Sequence, residues 1–112
     1  MAWKCYMVIL EPSGFFRDAG TLCSYRSLPP GAMWWDHGEL VVKLPGGGEW
    51  NIDRGRLINA RAERTGPPLP AWTRTGDPPA VTATPSINHQ GVYHGWLRDG
   101  ELSDDLDGRQ YT

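Results

Sequence analysis

The chain has 112 residues, a mass of 12.5 kDa, a net charge of −2 and a pI near 5.8, which leaves room for one domain over residues 1–112 and no second core. Hydrophobic residues make up 39% of the sequence and charged residues 21%, so the composition excludes both a disordered tail and a membrane protein. The longest apolar run is residues 7–10, far short of the roughly 20 residues that span a bilayer. We therefore expect an intracellular protein that makes no membrane contact.

Glycine and proline are frequent throughout the chain. The 14 Gly and 10 Pro interrupt almost every window long enough for a helix, so helix should be scarce. Alternating side chains over residues 3–10 predict a first strand, and residues 21–27 are expected to form a second strand that pairs antiparallel with it. The β-rich residues 40–44 predict a third strand, closed by a turn at the glycines of residues 46–48.

The clearest prediction of strands and a hairpin falls at the end of the chain. Residues 53–64 fit either one or two turns of helix or an irregular strand, and the Pro-rich residues 66–79 predict an extended surface crossing. Strands are expected over residues 49–52, 80–88 and 92–98. Asp99-Gly100 is a strong two-residue hairpin signal. The sequence therefore predicts a mostly β, single-domain sandwich or partly open barrel of roughly six to eight short antiparallel strands with little helix.

A series of short motifs in the last third of the chain has an ordered spacing. The series consists of Trp72, Gly76-Asp77, Pro85-Ser86-Ile87 and Tyr93-His94-Gly95-Trp96-Leu97-Arg98-Asp99-Gly100. In this order the motifs resemble a family of small bacteriophage proteins of unknown function that often carry the automatic label "ammonia monooxygenase". The resemblance implies a phage origin, a mostly β fold and a location in the host cytoplasm or in the virion. It implies no reaction.

The cysteine pattern argues against a metal site. The phage family that the chain resembles usually carries cysteines suited to a structural zinc, whereas Tyr93 stands where that family has Cys before the hairpin histidine. The only thiols are Cys5 and Cys23, which lie near each other if the first two strands pair, either as two buried thiols or as a disulfide. No metal-binding spacing joins them to a histidine. The sequence therefore predicts no metal ion and no other cofactor.

One histidine is a candidate for catalysis. A nucleophilic enzyme needs a thiol or hydroxyl beside a base that a third group orients, and His94, with Asp99 nearby, is the candidate base. His94 alternates with Val92 and Trp96 along a predicted strand, so a packed histidine is the competing interpretation. A small hydrolase or ligand-binding domain centred on His94 is therefore the alternative function. It requires a concave site that joins His94 to a cysteine or a carboxylate.

Charge is distributed unevenly along the chain. Five Arg and one Glu lie between residues 54 and 74, whereas five acidic residues and no basic residue lie between residues 99 and 107. An arginine strip can bind phosphate, but the net charge of −2 argues against a dedicated nucleic-acid binder. The strip is therefore either a solvated face or part of a contact surface for a protein.

Two adjacent tryptophans complete the set of candidates. In an extended segment Trp34 and Trp35 point to opposite sides, so one of them should stay accessible, and exposed Trp is typical of binding hot spots. We therefore expect a non-enzymatic protein that binds a virion component or a host defence protein. The expected contact residues are Trp34, Trp35, Arg54, Arg56, Arg61 and Arg64. The sequence gives no indication of the oligomeric state.

The first prediction concerns zinc. Because the cysteine pattern of the similar phage proteins is missing, protein purified without chelator should contain no stoichiometric zinc when it is measured by elemental analysis. About one zinc ion per chain would contradict the prediction.

Overall fold

In the computed structural model, which describes residues 2–111, the backbone forms short strands joined by tight turns. The strands are β1 (Trp3–Lys4), β2 (Tyr6–Met7), β3 (Ile9–Leu10), β4 (Phe16–Asp18), β5 (Thr21–Cys23), β6 (Ala32–Asp36), β7 (Glu39–Lys43), β8 (Glu49–Asn51), β9 (Thr73–Thr75), β10 (Thr82–His89), β11 (Tyr93–Arg98) and β12 (Glu101–Leu102). The helices are a 3-10 helix (Tyr25–Ser27) and α1 (Arg54–Asn59). Strand makes up 40% of the chain and helix 8%, so the predicted mostly β fold is confirmed. Within the described residues, no helix has the length and apolar character needed to cross a membrane.

The strands form three sheets. A five-stranded sheet has the order β1-β12-β11-β10-β9, a four-stranded sheet the order β2-β6-β7-β8, and a three-stranded sheet the order β3-β4-β5. All pairs are antiparallel except β2 and β6, which run parallel. None of the three sheets closes into a barrel.

The four-stranded sheet is the middle layer, because its two faces line different hydrophobic clusters. One cluster joins it to the five-stranded sheet and includes Met33, Leu40 and Val42 with Ile87 and Leu97. The other joins it to the three-stranded sheet and contains Val8, Phe16, Leu28, Ala32, Trp34 and Val41. A strand buried on both faces reads as a continuous apolar run, which accounts for Leu40, Val41 and Val42, whose side chains enter the two clusters alternately.

The N-terminal segment is divided among all three sheets. Residues 3–10 were expected to form one strand, but the structure separates them into β1, β2 and β3, each in a different sheet. Alternate side chains enter different clusters: Trp3, Cys5 and Met7 contact the first, and Tyr6, Val8 and Leu10 the second. The predicted alternation is therefore real. The prediction of a single strand is wrong, because the segment pairs in turn with β12, β6 and β4 along its length.

The second predicted strand is shorter than expected. Within residues 21–27, only residues 21–23 are strand (β5), and residues 25–27 form the 3-10 helix, where the Ser24 side chain accepts a hydrogen bond from the Ser27 N–H (3.3 Å). The expected partner is also corrected, because β5 and the N-terminal segment each pair with β4 instead of with each other. Cys5 and Cys23 consequently contact different clusters and remain free thiols. Burial raises the pKa of the Cys5 thiol to about 12.

Most strands in the rest of the chain lie where the sequence predicts them. The third predicted strand is β7, the strand at residues 49–52 is β8, and residues 80–88 and 92–98 contain β10 and β11. Asp99-Gly100 forms the predicted hairpin turn, with φ values of 48° and 73°. The ambiguous residues 53–64 form α1. Strand β6 was not predicted; it is joined to β7 by a similar turn at His37-Gly38.

The Pro-rich crossing over residues 66–79 packs closely against α1. The Asn59 side chain donates to the Leu69 carbonyl (2.9 Å) and accepts from the Leu69 N–H (2.8 Å). Gly55 permits the approach, since a Cβ there would lie 2.0 Å from the Pro70 carbonyl oxygen. Within the crossing, residues 73–75 form β9 at the edge of the five-stranded sheet, so this part of the predicted surface crossing is a strand.

Lys43 connects two layers through its buried ammonium. Its Nζ donates to the carbonyls of Tyr25 (2.6 Å), the first residue of the 3-10 helix, and of Leu28 (3.1 Å), which follows that helix. The same Nζ lies 4.2 Å from the centroid of the Tyr25 ring, a favourable cation–π position. Burial lowers the pKa of Lys43.

Asp105 anchors the C-terminal segment. Its buried carboxylate accepts hydrogen bonds from the Tyr111 hydroxyl (2.6 Å), the Arg109 guanidinium (3.0 Å) and the backbone N–H groups of Asp107 (2.7 Å) and His94 (3.2 Å). Burial favours the neutral acid, but these donors outweigh burial and hold the pKa of Asp105 well below its usual range. The charged form of Asp105 is thus favoured by folding.

This lowered pKa predicts acid sensitivity. A carboxylate whose folded pKa is depressed contributes stability that is present above its unfolded pKa, about 4, and is lost as pH falls through the folded pKa. Asp105→Asn should lower the free energy of unfolding at pH 7 by about 1.5–3 kcal/mol. It should also reduce the loss of stability between about pH 4 and pH 2, measured by urea unfolding. The exposed Asp77→Asn is the control, and pH profiles that stay parallel for the wild type and Asp105→Asn would contradict the prediction.

Candidate functional site

The adjacent tryptophans lie on opposite faces of β6. Trp34 is 2% exposed and packs in the second cluster, where its ring centroid lies 4.7 Å from that of Phe16. Trp35 keeps 45% of its surface exposed. The expected divergence of the two side chains is confirmed, because successive side chains of a strand alternate. The structure assigns Trp34 to the core, so it is not a contact residue.

Trp35 is held in place by an arginine from a neighbouring layer. The Arg74 guanidinium carbon lies 5.4 Å from the centroid of the Trp35 ring, within cation–π distance. Arg74 also donates from Nε to the Asp53 carboxylate (2.8 Å), which accepts from the Leu40 N–H as well (2.9 Å). Leu40 is the cross-strand partner of Trp35. Asp53 therefore connects Arg74 to the same strand pair, β6 and β7, that carries Trp35.

Asp53 is the buried centre of this arrangement. Burial favours its neutral form, but the bonds from Arg74 and Leu40 outweigh burial and keep the pKa of Asp53 below its usual value. Arg56 lies 3.6 Å from the same carboxylate. Asp53 is not among the functional residues that the sequence pattern predicts. The available signal was an acidic residue directly after a predicted strand and at the start of the arginine-rich segment.

The predicted arginines fall into two groups. Arg54 donates to Glu39 (2.7 Å) and Arg56 contacts Asp53, so both lie near the β6–β7 hairpin that carries Trp35. Arg61 is exposed after α1, and Arg64 donates to the Pro67 carbonyl. In the described chain, neither Arg61 nor Arg64 bonds to Asp53 or Glu39. The structure therefore brings Arg54 and Arg56, but not the other two, into the network around Trp35.

A groove runs beside Trp35. Its volume is about 400 Å³, and it is lined by Leu10, Glu11, Pro12, Gly14, Trp35, Asp36 and His37. Glu11 pairs with Arg17 (2.7 Å), and the His37 imidazole contacts Asp36 (2.6 Å). The groove thus combines apolar side chains with carboxylates. We call this groove, together with Arg54, Arg56 and Arg74, the Trp35 surface.

The alternative site at His94 has a different partner from the expected one. His94 and Asp99 lie five positions apart along β11 and its turn, about 16 Å at the usual strand rise, so the strand holds them apart. Asp107 takes the predicted place of Asp99, with an oxygen 3.1 Å from His94 Nδ1. The nearby cavity of about 260 Å³ is lined by Trp3, Asp104, Asp105, Gly108, Arg109, Gln110 and Tyr111, without His94 or either cysteine.

The two tryptophans should respond differently to truncation. Trp34→Ala removes a buried ring and should lower the free energy of unfolding by about 3–5 kcal/mol. Trp35→Ala removes a half-exposed ring and its arginine contact, so the loss should be about 1 kcal/mol or less. Urea unfolding measures both values, with Trp34→Phe as a milder core variant if Trp34→Ala does not fold. Equal losses at positions 34 and 35 would contradict the assignment.

Comparison of the chain with known protein families, curated proteins and solved structures finds no match in any of the three. The candidate sites are therefore described by their geometry alone.

Proposed function

We propose that the chain is a non-enzymatic binding protein that contacts another protein through the Trp35 surface. The observation that carries the proposal is an exposed tryptophan, 45% accessible, that Arg74 holds at the side of an open groove. Tryptophan and arginine are the residue types most enriched at binding hot spots. A side chain fixed before binding loses little conformational entropy when a partner arrives.

The chemistry of the Trp35 surface defines the kind of contact. The groove accepts an apolar side chain beside Trp35 and Leu10. The side chains of Arg54 and Arg56 are 58% and 51% exposed, so each can reach a carboxylate or carbonyl of a partner while it stays near its own acidic residue. The proposed partner is thus a protein segment with an apolar anchor residue and an acidic or carbonyl-rich flank.

The motif series in the last third of the chain supports a more specific version of the proposal. Because that series resembles small phage proteins, the proposed partner is a virion component, which would make this chain a minor or decoration protein, or a host defence protein, which would make it an inhibitor. Both versions use the same surface. They differ in whether the partner is recovered from phage particles or from uninfected host cells.

A comparison of three baits tests the proposed surface. Tagged wild type, Trp35→Ala and Trp96→Ala are used for pull-downs from uninfected bacterial lysate and from purified phage particles, with quantification by mass spectrometry. The proposal expects a protein whose binding is weakened at least about tenfold, or roughly 1.4 kcal/mol, by Trp35→Ala and unchanged by Trp96→Ala. Trp96 is a matched control because it also stacks with an arginine, with the Arg98 guanidinium carbon 4.2 Å from its ring.

Two results would overturn the proposal. One is a partner that all three folded baits retain with equal affinity, which would move the interface away from Trp35. The other is the absence of any partner in both sources. Circular dichroism on each bait shows whether the substitution has left the fold intact.

A further inference from the structure

The strand at one end of the three-stranded sheet has an unprotected edge. The five-stranded sheet ends in β1 and β9, which carry Lys4 and Arg74, and the four-stranded sheet ends at β8, which carries Glu49. A charged residue is a usual protection of a sheet edge against pairing with another chain. The end strands β2 and β3 belong to the N-terminal segment that joins the layers. Strand β5 has no charged residue and no proline, so its edge lacks this protection.

The turn before β5 determines which backbone groups point to the open edge. Residues 19–20 form a two-residue turn with φ values of 49° and 88°, so the flanking Asp18 and Thr21 are a hydrogen-bonded pair. Hydrogen-bonded and non-hydrogen-bonded pairs alternate along an antiparallel ladder. The next pair, Arg17 and Leu22, therefore exchanges no backbone bonds. The N–H and C=O of Leu22 point away from β4, to the open edge of the sheet.

The side chains beside this edge form an exposed apolar row. Leu22 keeps 50% of its surface exposed and Ile9 keeps 61%, and both lie across from Arg17 on adjacent strands. The neighbouring row, which contains Phe16, packs in the second cluster, so the row of Leu22 lies on the outer face. Arg17 pairs with Glu11 (2.7 Å), which compensates its charge within the chain. Leu22 thus presents an apolar side chain and two outward backbone groups at the same edge.

We propose that β5 pairs antiparallel with β5 of a second copy of this chain, which joins the two three-stranded sheets into one continuous sheet in a two-fold symmetric dimer. In this dimer Leu22 lies opposite Leu22 of the second copy. The N–H of each leucine donates to the C=O of the other, as in any hydrogen-bonded antiparallel pair. The two leucine side chains contact each other on the outer face, where cross-strand neighbours pack.

Symmetry and charge favour a second copy as the occupant of this edge. The outward groups belong to one residue, and a two-fold axis beside Leu22 satisfies the groups of both chains at once. Antiparallel pairing also brings the exposed Arg26, beyond one end of β5, toward Asp18 of the second copy, which flanks the other end. No like charges meet along the paired strands, because residues 21–23 are uncharged. The contact is short, so the dimer should be weak.

Sedimentation velocity on the full chain under reducing conditions tests this dimer. Between about 1 μM and 1 mM protein, the proposal expects a mass that approaches twice 12.5 kDa, with a dissociation constant of about 10–100 μM. Leu22→Lys should weaken the dimer at least about tenfold, because two like charges then lie directly opposite each other. Ile9→Lys is the matched control. It adds the same charge to the same exposed row, two strands away from the edge, and should leave the dissociation constant unchanged.

A mixture of two charged variants tests the register of the pairing. Leu22→Lys and Leu22→Glu should each stay monomeric at concentrations where the wild type is a dimer. When they are mixed in equal amounts they should form a heterodimer, since a pairing centred on position 22 brings the opposite charges together.

A designed disulfide provides a second measure of the register. Thr21→Cys places a thiol opposite Cys23 of the second copy, in a non-hydrogen-bonded pair with Cα atoms about 4.5 Å apart, a distance that a disulfide spans. Mild oxidation should give a reducible dimer on electrophoresis. The wild type should give none, because its two Cys23 Cα atoms would be roughly 8 Å apart. Thr75→Cys, an exposed threonine on the edge strand β9, is the matched control and should not cross-link.

Four results would overturn the dimer proposal. The first is a wild type that stays monomeric up to about 1 mM, and the second is a dimer that Leu22→Lys does not weaken more than Ile9→Lys does. The third is a mixture of the charged variants that stays monomeric, and the fourth is equal cross-linking by Thr21→Cys and Thr75→Cys. Circular dichroism checks the fold of each variant, and the cysteine variants suffice if Leu22→Lys does not fold. Trp35→Ala should dimerise like the wild type, so the outcome is independent of the Trp35 surface.

Discussion

The burial of the middle sheet on both faces is the constraint on which the other features of this structure depend. A sheet with two apolar faces needs a layer on each side, and in a chain of 112 residues those layers must be small. The N-terminal segment meets this requirement by joining all three sheets, with alternate side chains in the two clusters. Its backbone therefore fixes the relative position of the layers, although it forms only two-residue strands.

The buried charged groups have a related role, because each connects segments that no sheet ladder joins. Lys43 links the middle sheet to the 3-10 helix, Asp53 links it to Arg74 in the five-stranded sheet, and Asp105 holds the C-terminal segment. A buried charge is tolerated only when hydrogen bonds compensate for its lost hydration. In each case the bonds go to specific backbone or side-chain atoms, so these residues determine where loops and termini lie as well as adding stability.

Trp35 and Trp50 share one arrangement, in which a segment from another part of the chain packs against an aromatic side chain of the middle sheet. Arg74 performs this role for Trp35, and the Pro-rich crossing brings Trp72 against Trp50. The His94 backbone N–H donates to the Asp105 carboxylate, and its ring Nδ1 lies 3.1 Å from an Asp107 oxygen. Trp35 lies beside an open groove near exposed arginines, whereas Trp50 is buried in the first cluster.

Local chemistry alone determined the elements that the sequence predicted correctly. The Asp99-Gly100 turn, strand β7 and the divergence of Trp34 and Trp35 follow from backbone preferences and a two-residue period, which act between neighbours in the chain. Tertiary structure decided the division of residues 3–10 among three sheets, the Asp53–Arg74 bond and the meeting of Trp50 with Trp72. The last two contacts join residues more than twenty positions apart. They exist only because the layers bring distant segments together, and no local pattern in the sequence encodes that proximity.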